Sequence, residues 1–155
     1  MSNNIELTNS KKIEIKTIFI KCLLNKGKKN TALNLFNNII YNLKKLDNTL
    51  DPYYIIYLAL LKVEPLFDIR SIKIVKSVIN VPIPLNHNRR LKGAIKLILD
   101  TSYNKSKTKN TDIAQLIALE FYNSFKGSSE SLQKRNDIHR KAYENRSFAH
   151  FRWFN

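Results

Sequence analysis

Three lysines flank a glycine in the segment 26–29, and this is the first place where the sequence could bind an anion. Lys26, Lys28 and Lys29 surround Gly27. A tight glycine turn brings backbone amides and ammonium groups close enough to contact a phosphate. The competing interpretation is a solvated turn between two helices, and charge alone does not decide between the two.

A second basic cluster is divided between two neighbouring segments. One part lies on a predicted β-hairpin and the other on the predicted helix that follows it: Arg70, Lys73 and Lys76, then Arg89, Arg90, Lys92 and Lys96. No acidic residue occurs between positions 70 and 96, whereas an ordinary solvated face mixes both signs. If the hairpin folds over the helix, the two parts form one surface, on which arginines can grip phosphates bidentately.

Catalytic and metal chemistry have no comparable pattern. His139 and His150 have no Ser, Cys or carboxylate partner at a recognisable catalytic spacing, so we expect no enzymatic activity. Both are better explained by stacking or hydrogen bonds with RNA or a neighbouring helix. Cys22 is the single cysteine, and the common zinc sites need at least two. We therefore expect no metal and no cofactor, and a small buried apolar role for Cys22 on a helix.

Aromatic residues near the C-terminal end could stack on unpaired bases. Phe148 fits closure of the core equally well, whereas Arg152 and Trp153, close to the end of the chain, are better candidates for RNA. Three more cations fall in a predicted exposed loop over residues 102–110, where general attraction explains them without specificity: Lys105, Lys107 and Lys109.

Composition extends the anion-binding interpretation to the whole chain. It has 27 Lys and Arg against 12 Asp and Glu, a net charge of +15. Self-repulsion at that charge disfavours a compact fold unless a polyanion neutralises it, and counterion release gives basic proteins affinity for phosphate backbones. The 43% hydrophobic content is enough for a core. No apolar stretch reaches the ~18 residues of a membrane span, so we expect none.

Hydrophobic periodicity predicts a mainly α fold, a bundle of about six helices with a β-hairpin arm between the third and fourth. We expect a single domain over 1–155, with a flexible polar tail at 1–10, the arm at 69–84 and a basic helix and tail at 129–155.

Capping residues place several of the helix ends. Ser10 is expected to cap the first helix, and Asp51 followed by Pro52 to begin the third. The fourth helix is predicted over 89–101. Gly127 is the expected stop of the fifth helix, which Thr111 and Asp112 begin.

The segment 134–153 carries a specific family resemblance. Its sequence KRNDIHRKAYENRSFAHFRW resembles the ending of bacterial-type small-subunit ribosomal protein seven. That ending starts with Lys-Arg, any residue, Asp, a hydrophobic residue and His-Arg, and it continues as Asn-Arg-x-Phe-Ala-His-aromatic-Arg-Trp. Residues 19–29 are similar to that family's first helix and Gly-Lys-Lys turn. Residues 65–70, with Val81-Pro82 and Arg89-Arg90, are similar to its hairpin region and basic helix. Order and spacing agree from about residue 12 to residue 153.

The resemblance implies a six-helix fold with a β-ribbon arm, and a structural role in the small ribosomal subunit. It implies binding and assembly of the head (3′ major) domain of the rRNA, beside the exit-site tRNA and the mRNA path. Implied protein neighbours are small-subunit proteins nine, eleven and thirteen, and no homo-oligomer is expected. Val75 and Lys76 stand where the family usually has two glycines, and Ile79 where it usually has tyrosine. This divergence and the Lys/Asn/Ile bias favour the mitochondrial matrix over a plastid or the bacterial cytoplasm.

On this basis we predict two sets of contact residues. The rRNA-binding set is Lys11, Lys12, Lys26, Lys28, Lys29, Arg70, Lys73, Arg89, Arg90, Lys92, Lys96, Lys134, Arg135, Arg146, Arg152 and Trp153. The set near tRNA and mRNA is Lys76, Ser77, Arg140, Lys141 and Tyr143. The alternative function is a free-standing helical regulator that binds DNA or RNA. A membrane-surface protein would need an exposed apolar helix face, which the bundle consumes.

Overall fold

Three helices form the first part of the bundle in the computed structural model, which describes residues 8–24, 26–74, 77–108 and 111–153. Helix α1 spans Asn9–Leu23, α2 spans Lys29–Leu46 and α3 spans Pro52–Val63. The α3 start is as predicted: Asp51 Oδ1 accepts a hydrogen bond from the Tyr53 N–H at 3.1 Å. The predicted tail is wrong at its end, because residues 9 and 10 already belong to α1; residues 1–7 lie outside the described residues.

Helix α3 lies at the centre of the hydrophobic core, as its nearly continuous apolar sequence predicts. Its Ile55, Ile56 and Ala59 are fully buried. The neighbouring helices contribute aromatic rings, and the Phe19 ring centroid lies 5.3 Å from that of Phe36. Cys22 on α1 is half-buried against this cluster, and burial raises the pKa of its thiol. The predicted apolar role of Cys22 is therefore confirmed in position, with partial rather than full burial.

Two antiparallel strands form a ribbon between α3 and the next helix. Strand β1 spans Phe67–Ile74 and β2 spans Ser77–Pro84, paired from Phe67 opposite Pro84 to Ile74 opposite Ser77. The arm thus begins two residues before the predicted position 69, and the predicted tip at 75–76 lies outside the described residues. Since cross-strand partners share a face, the register places Ile72, Ile79, Val81 and Ile83 together, as the period-two pattern predicts.

Helix α4 spans His87–Thr108, which corrects the predicted loop over 102–110. Two buried hydroxyls find acceptors within the helix where the loop was predicted to begin: Thr101 Oγ1 donates to the Leu97 carbonyl at 2.6 Å, and Ser102 Oγ to the Ile98 carbonyl at 2.8 Å. The Ser, Thr and Asn residues of this segment favour a loop because their side chains can compete with the helical backbone for hydrogen bonds. Here their side chains bond back within the helix instead.

The C-terminal part adds α5 over Ile113–Lys126, α6 over Glu130–Glu144, and a 3-10 helix over Arg146–Trp153. Gly127 ends α5 with φ +94°, the left-handed conformation expected at this stop. Ser129 caps α6 by accepting from the Leu132 N–H at 3.2 Å. The described residues therefore form the predicted six α-helices with a ribbon between α3 and α4. The 3-10 helix, which the sequence did not predict, packs against β2.

Candidate nucleic-acid interface

A basic groove runs between the root of the ribbon and α4. Arg70 from β1 and Arg89, Lys92 and Lys96 from α4 all line it, and its volume is about 510 Å³. All four side chains belong to exposed residues. The prediction that the hairpin and the following helix combine into one basic surface is confirmed for these four cations. Asp68 and Asp100 line the same groove, so the surface is not purely basic.

Lys73 does not share the groove with Arg70. Successive strand residues point to opposite faces, so positions 70 and 73, three apart, lie on different faces of the ribbon. Arg70 is paired with Val81, whose side chain is fully buried, whereas Lys73 is paired with Val78, which is 68% exposed. The predicted hairpin cations are thus divided between two faces, and Lys76 lies outside the described residues.

Arg90 fixes the connection that follows the ribbon. Its Nε donates to the carbonyl oxygen of Leu85 at 2.8 Å, in the short connection between β2 and α4. Gly93 on α4 lies so close to the segment after α3 that a Cβ there would stand 3.1 Å from Pro65 Cγ. Arg90 and Gly93 therefore hold the two walls of the groove in place.

The turn at 26–29 is exposed, as either sequence interpretation requires. Lys26 and Gly27 both adopt left-handed backbone, with φ +49° and +76°. The Gly27 carbonyl accepts from the Lys29 N–H at 2.8 Å, and Lys28 is the N-cap of α2. Three exposed ammonium groups therefore cluster at the positive end of the α2 dipole, but none of them lies in the groove beside α4.

Two of the predicted RNA-binding residues lie on α1 and contact the start of α3 or its side chains. Lys12 Nζ lies 2.6 Å from the Asp51 carboxylate and 5.8 Å from the Tyr53 ring centroid. Lys11 Nζ lies 5.5 Å from the centroid of the Tyr57 ring. These contacts attach α1 to the start of the central helix, so both lysines already have a structural role.

The basic residues of α6 are largely engaged within the protein. Lys134 Nζ lies 3.5 Å from Glu130, and Arg140 lies 3.0 Å from Asp137. The guanidinium of Arg135 donates to the Lys62 carbonyl oxygen in the last turn of α3. Lys141, with Asp68 and Asn80, lines a smaller hollow of about 460 Å³ between α6 and the ribbon.

Stacked cations and rings characterise the C-terminal end. The Arg146 guanidinium lies 4.5 Å from the Tyr143 ring centroid, and that of Arg152 lies 4.6 Å from the Trp153 ring. Tyr143 is 66% exposed and Trp153 is 77% exposed. These exposed planar pairs could stack on unpaired bases. Ser77, at the far end of the described ribbon, is exposed as well.

A buried polar cluster around Glu120 escaped the sequence analysis. The fully buried Glu120 carboxylate accepts from the Ser131 N–H at 3.1 Å and from Lys105 Nζ at 2.6 Å. Burial alone raises the pKa of Glu120, but the hydrogen bonds from Lys105 and Ser131 outweigh it and hold the pKa below its ordinary 4.5. Lys105, predicted as a flexible loop cation, is therefore an internal partner that joins α4, α5 and α6.

His139 joins α6 to the root of the ribbon. Its Nε2 accepts a hydrogen bond from the Leu66 N–H at 3.0 Å, and its ring meets that of Phe67 edge-on at 6.2 Å. Burial, followed by the nearby charge of Arg135, lowers the pKa of His139. The sequence predicted that His139 contacts either RNA or a neighbouring element, and the structure shows a contact with a neighbouring element.

The described residues offer no site for metal chemistry and no helix suited to a membrane. Within 8–24, 26–74, 77–108 and 111–153, no three His, Cys, Asp or Glu side chains converge as metal ligands. Over the same ranges, every helix is too short or too polar to span a bilayer. What the structure does present is a groove bordered by cations.

A basic helical bundle with a ribbon-walled groove is typical of proteins that bind a polyanion. The family model described as Ribosomal protein S7p/S5e matches residues 3–146, and the chain belongs to that family. It is accordingly a structural, non-enzymatic protein of the small ribosomal subunit that acts in translation. The resemblance drawn from residues 12–153 is thereby confirmed.

Relatives of both organellar and bacterial type are similar to this chain. The small ribosomal subunit protein uS7m of Reclinomonas americana is 30% identical over 135 residues, covering 87% of this chain and 82% of the relative. The protein uS7 of Wigglesworthia glossinidia brevipalpis is 32% identical over 140 residues, covering 90% and 87%. That of Syntrophobacter fumaroxidans is 31% identical over 135 residues, covering 87% and 84%. Similarity alone does not separate a mitochondrial from a bacterial origin.

Proposed function

We propose that this chain binds the head (3′ major) domain of small-subunit rRNA and helps that domain assemble, with the groove between the ribbon and α4 as its main contact surface. The observation that carries the proposal is the convergence of Arg70 on β1 with Arg89, Lys92 and Lys96 on α4. Two elements separated in sequence supply one set of cations. Such a set can bridge phosphates of two RNA segments, which is what assembly of a folded domain requires.

The pairing of charges distinguishes this groove from the rest of the basic surface. Among the described residues, none of the four groove cations forms an ion pair with a carboxylate, whereas Lys134 and Arg140 on α6 do. A cation without an internal partner can exchange its counterions for phosphates at little cost. We therefore rank the groove above α6 as the phosphate-binding surface.

Filter binding to an isolated head-domain rRNA fragment tests the proposal. The double variant Lys92→Gln/Lys96→Gln should bind more weakly and should reduce the slope of log affinity against log salt by roughly 1.5, since two phosphate contacts are lost. The matched control Lys44→Gln/Lys107→Gln removes two exposed lysines outside the groove. It should retain the slope to within experimental error.

The same experiment addresses the alternative of a free-standing regulator. Random RNA of equal length and duplex DNA serve as competitors at one salt concentration. Affinity for the head-domain fragment no better than for random RNA would contradict the proposal. Preference for the duplex DNA would favour the regulator instead.

The outer ribbon and the C-terminal elements are proposed to face the exit-site tRNA and the mRNA path. Exposed Ser77 on the ribbon and Tyr143 at the end of α6 support this placement, and small-subunit proteins nine, eleven and thirteen are the proposed neighbours. Photo-crosslinking from position 143 in assembled subunits should recover tRNA or mRNA. Crosslinks to rRNA buried in the head would contradict the placement.

The proposed compartment is the mitochondrial matrix, with a plastid or the bacterial cytoplasm as alternatives. Its support is the Lys/Asn/Ile bias and the departure at residues 75, 76 and 79 from the family's usual ribbon. Fractionation of the source cell, with the chain tracked by mass spectrometry, tests it. Enrichment with cytosolic ribosomes would contradict the mitochondrial assignment.

A further inference from the structure

The floor of the groove beside α4 is apolar, which phosphate binding alone does not explain. Phe67 and Ile83 from the ribbon, Leu85 after it, Leu97 on α4 and Ile138 on α6 line the same space as the four cations. Phe67 is 41% exposed, and the other four are half-buried. A phosphate gains nothing from contact with such side chains, whereas the flat face of a base buries apolar surface there.

Two carboxylates in the groove also argue against a purely phosphate ligand. Asp68 on β1 and Asp100 on α4 line it together with the cations. A carboxylate repels a phosphate, but it accepts hydrogen bonds from the amino and imino groups on the edge of a base. The groove therefore combines three chemistries, cationic, apolar and hydrogen-bond accepting, which match the phosphate, face and edge of one nucleotide.

The size of the groove fits a ligand of that kind. Its volume of about 510 Å³ lies within the roughly 300–1,000 Å³ typical of sites for small organic ligands. Bases in an A-form duplex are stacked on one another, so a duplex could offer phosphates to the rim but no base face to the floor. An unpaired nucleotide can supply both.

We propose that the groove between the ribbon and α4 takes an unpaired nucleotide of the rRNA, with its base on the apolar floor and its flanking phosphates on the arginine and lysine rim. This inference rests on the proposed rRNA binding and specifies which part of the RNA enters the site. Recognition is then of a bulged or junction nucleotide, and not of a helical backbone.

The variant Ile83→Trp tests the inference by filling the floor without changing the charge. Trp is well accommodated in strands. The matched control is Val78→Trp on the same strand, five residues away and on the opposite face by alternation, where Val78 is 68% exposed. Binding to the head-domain rRNA fragment is measured against salt, and thermal unfolding of each variant checks its fold.

The expected result is an affinity loss of about tenfold for Ile83→Trp, the order of one lost base-stacking contact, with the salt slope unchanged. Val78→Trp should bind like the unmodified chain. Equal affinity of the two variants would overturn the nucleotide inference while leaving rRNA binding intact. If the unmodified chain does not prefer the fragment over random RNA, the proposed function itself fails, so the two failures are distinguishable.

A second measurement keeps the inference testable if Ile83→Trp does not fold. Phe67 is replaced by the photoreactive analogue p-benzoylphenylalanine, which preserves an aromatic ring at the groove, and the complex with the head-domain fragment is irradiated. Reverse transcription maps the crosslink, and chemical probing of the free fragment shows whether that nucleotide is paired. A crosslink at an unpaired nucleotide is expected; one confined to paired nucleotides, or no crosslink from a bound complex, would overturn the inference.

Discussion

The ammonium of Lys105 lies 2.6 Å from the carboxylate of Glu120, which is completely buried where α4, α5 and α6 meet. Glu120 also accepts from the backbone and hydroxyl of Ser131, and that hydroxyl lies 2.8 Å from Thr101 Oγ1. One carboxylate thus connects the helix that carries the groove cations to the first turn of α6. The cluster fixes the far end of the groove-bearing helix.

Replacing Lys105 by Met should destabilise the protein by about 2 kcal/mol, measured by urea unfolding. Removing one partner of a buried ion pair typically costs about 3–5 kcal/mol. The Lys105 side chain is 32% exposed, so water can reach the pair and reduce that cost. The control Lys107→Met changes an exposed lysine on the same helix and should stay within about 0.5 kcal/mol. Equal effects of the two changes would show that the cluster does not stabilise the fold.

Stability should fall in acid because of Glu120. Its pKa is lowered in the folded state, so the unfolded chain binds the proton more readily. The contribution of Glu120 is therefore complete above its ordinary pKa of 4.5 and is lost as pH falls below that value. In Glu120→Gln, the free energy of unfolding should change less steeply with pH between about pH 5 and about pH 3, the range in which a glutamate carboxyl ordinarily titrates. An unchanged slope would contradict the assignment.

His139 should add a second loss of stability at milder pH. Its pKa is also lowered in the folded state, by burial and then by Arg135, so its contribution is present above its ordinary 6.5 and is lost as pH falls below it. Protonation places a hydrogen on Nε2, which then no longer accepts from Leu66. His139→Gln should flatten the stability profile just below pH 6.5. An equally steep profile in the variant would contradict this role of His139.

Arg135 should matter more for stability than for RNA affinity. Its guanidinium bonds to the Lys62 carbonyl at the negative end of α3, so Arg135→Ala should lower the free energy of unfolding by about 1.5 kcal/mol. Arg140→Ala, which removes surface pairs with Asp137 and Glu144, should cost no more than about 0.5 kcal/mol. A loss of rRNA affinity by Arg135→Ala with unchanged stability would contradict this ranking and support the predicted RNA contact of Arg135.

Local signals were sufficient for much of the fold. Asp51 with Pro52 predicted the start of α3, and Gly127 predicted the end of α5, because capping depends on residues adjacent in sequence. Alternation predicted the ribbon and its apolar face. The length of α4 could not be read in this way, since residues 102–108 look like a loop. Their helical state depends in part on Glu120, a partner fifteen residues beyond Lys105.

Part of the candidate site could also be predicted from local sequence. The absence of acids between residues 70 and 96 indicated the surface that Arg70 and Lys92 share. Charge does not reveal which partner a cation takes, however, and Lys12 contacts Asp51 from a distant segment. The pairing of Lys134 with Glu130 could have been found, because helical spacing of i and i+4 brings such residues together.

Sucrose-gradient sedimentation of a native lysate tests the central claim most directly, with this chain tracked by mass spectrometry and small-subunit rRNA by hybridisation. We expect the chain to migrate with that rRNA and to remain bound through a high-salt wash, because contacts with the shape and bases of a folded RNA persist when salt weakens the phosphate contacts. Recovery of the chain only at the top of the gradient, free of rRNA, would contradict the account.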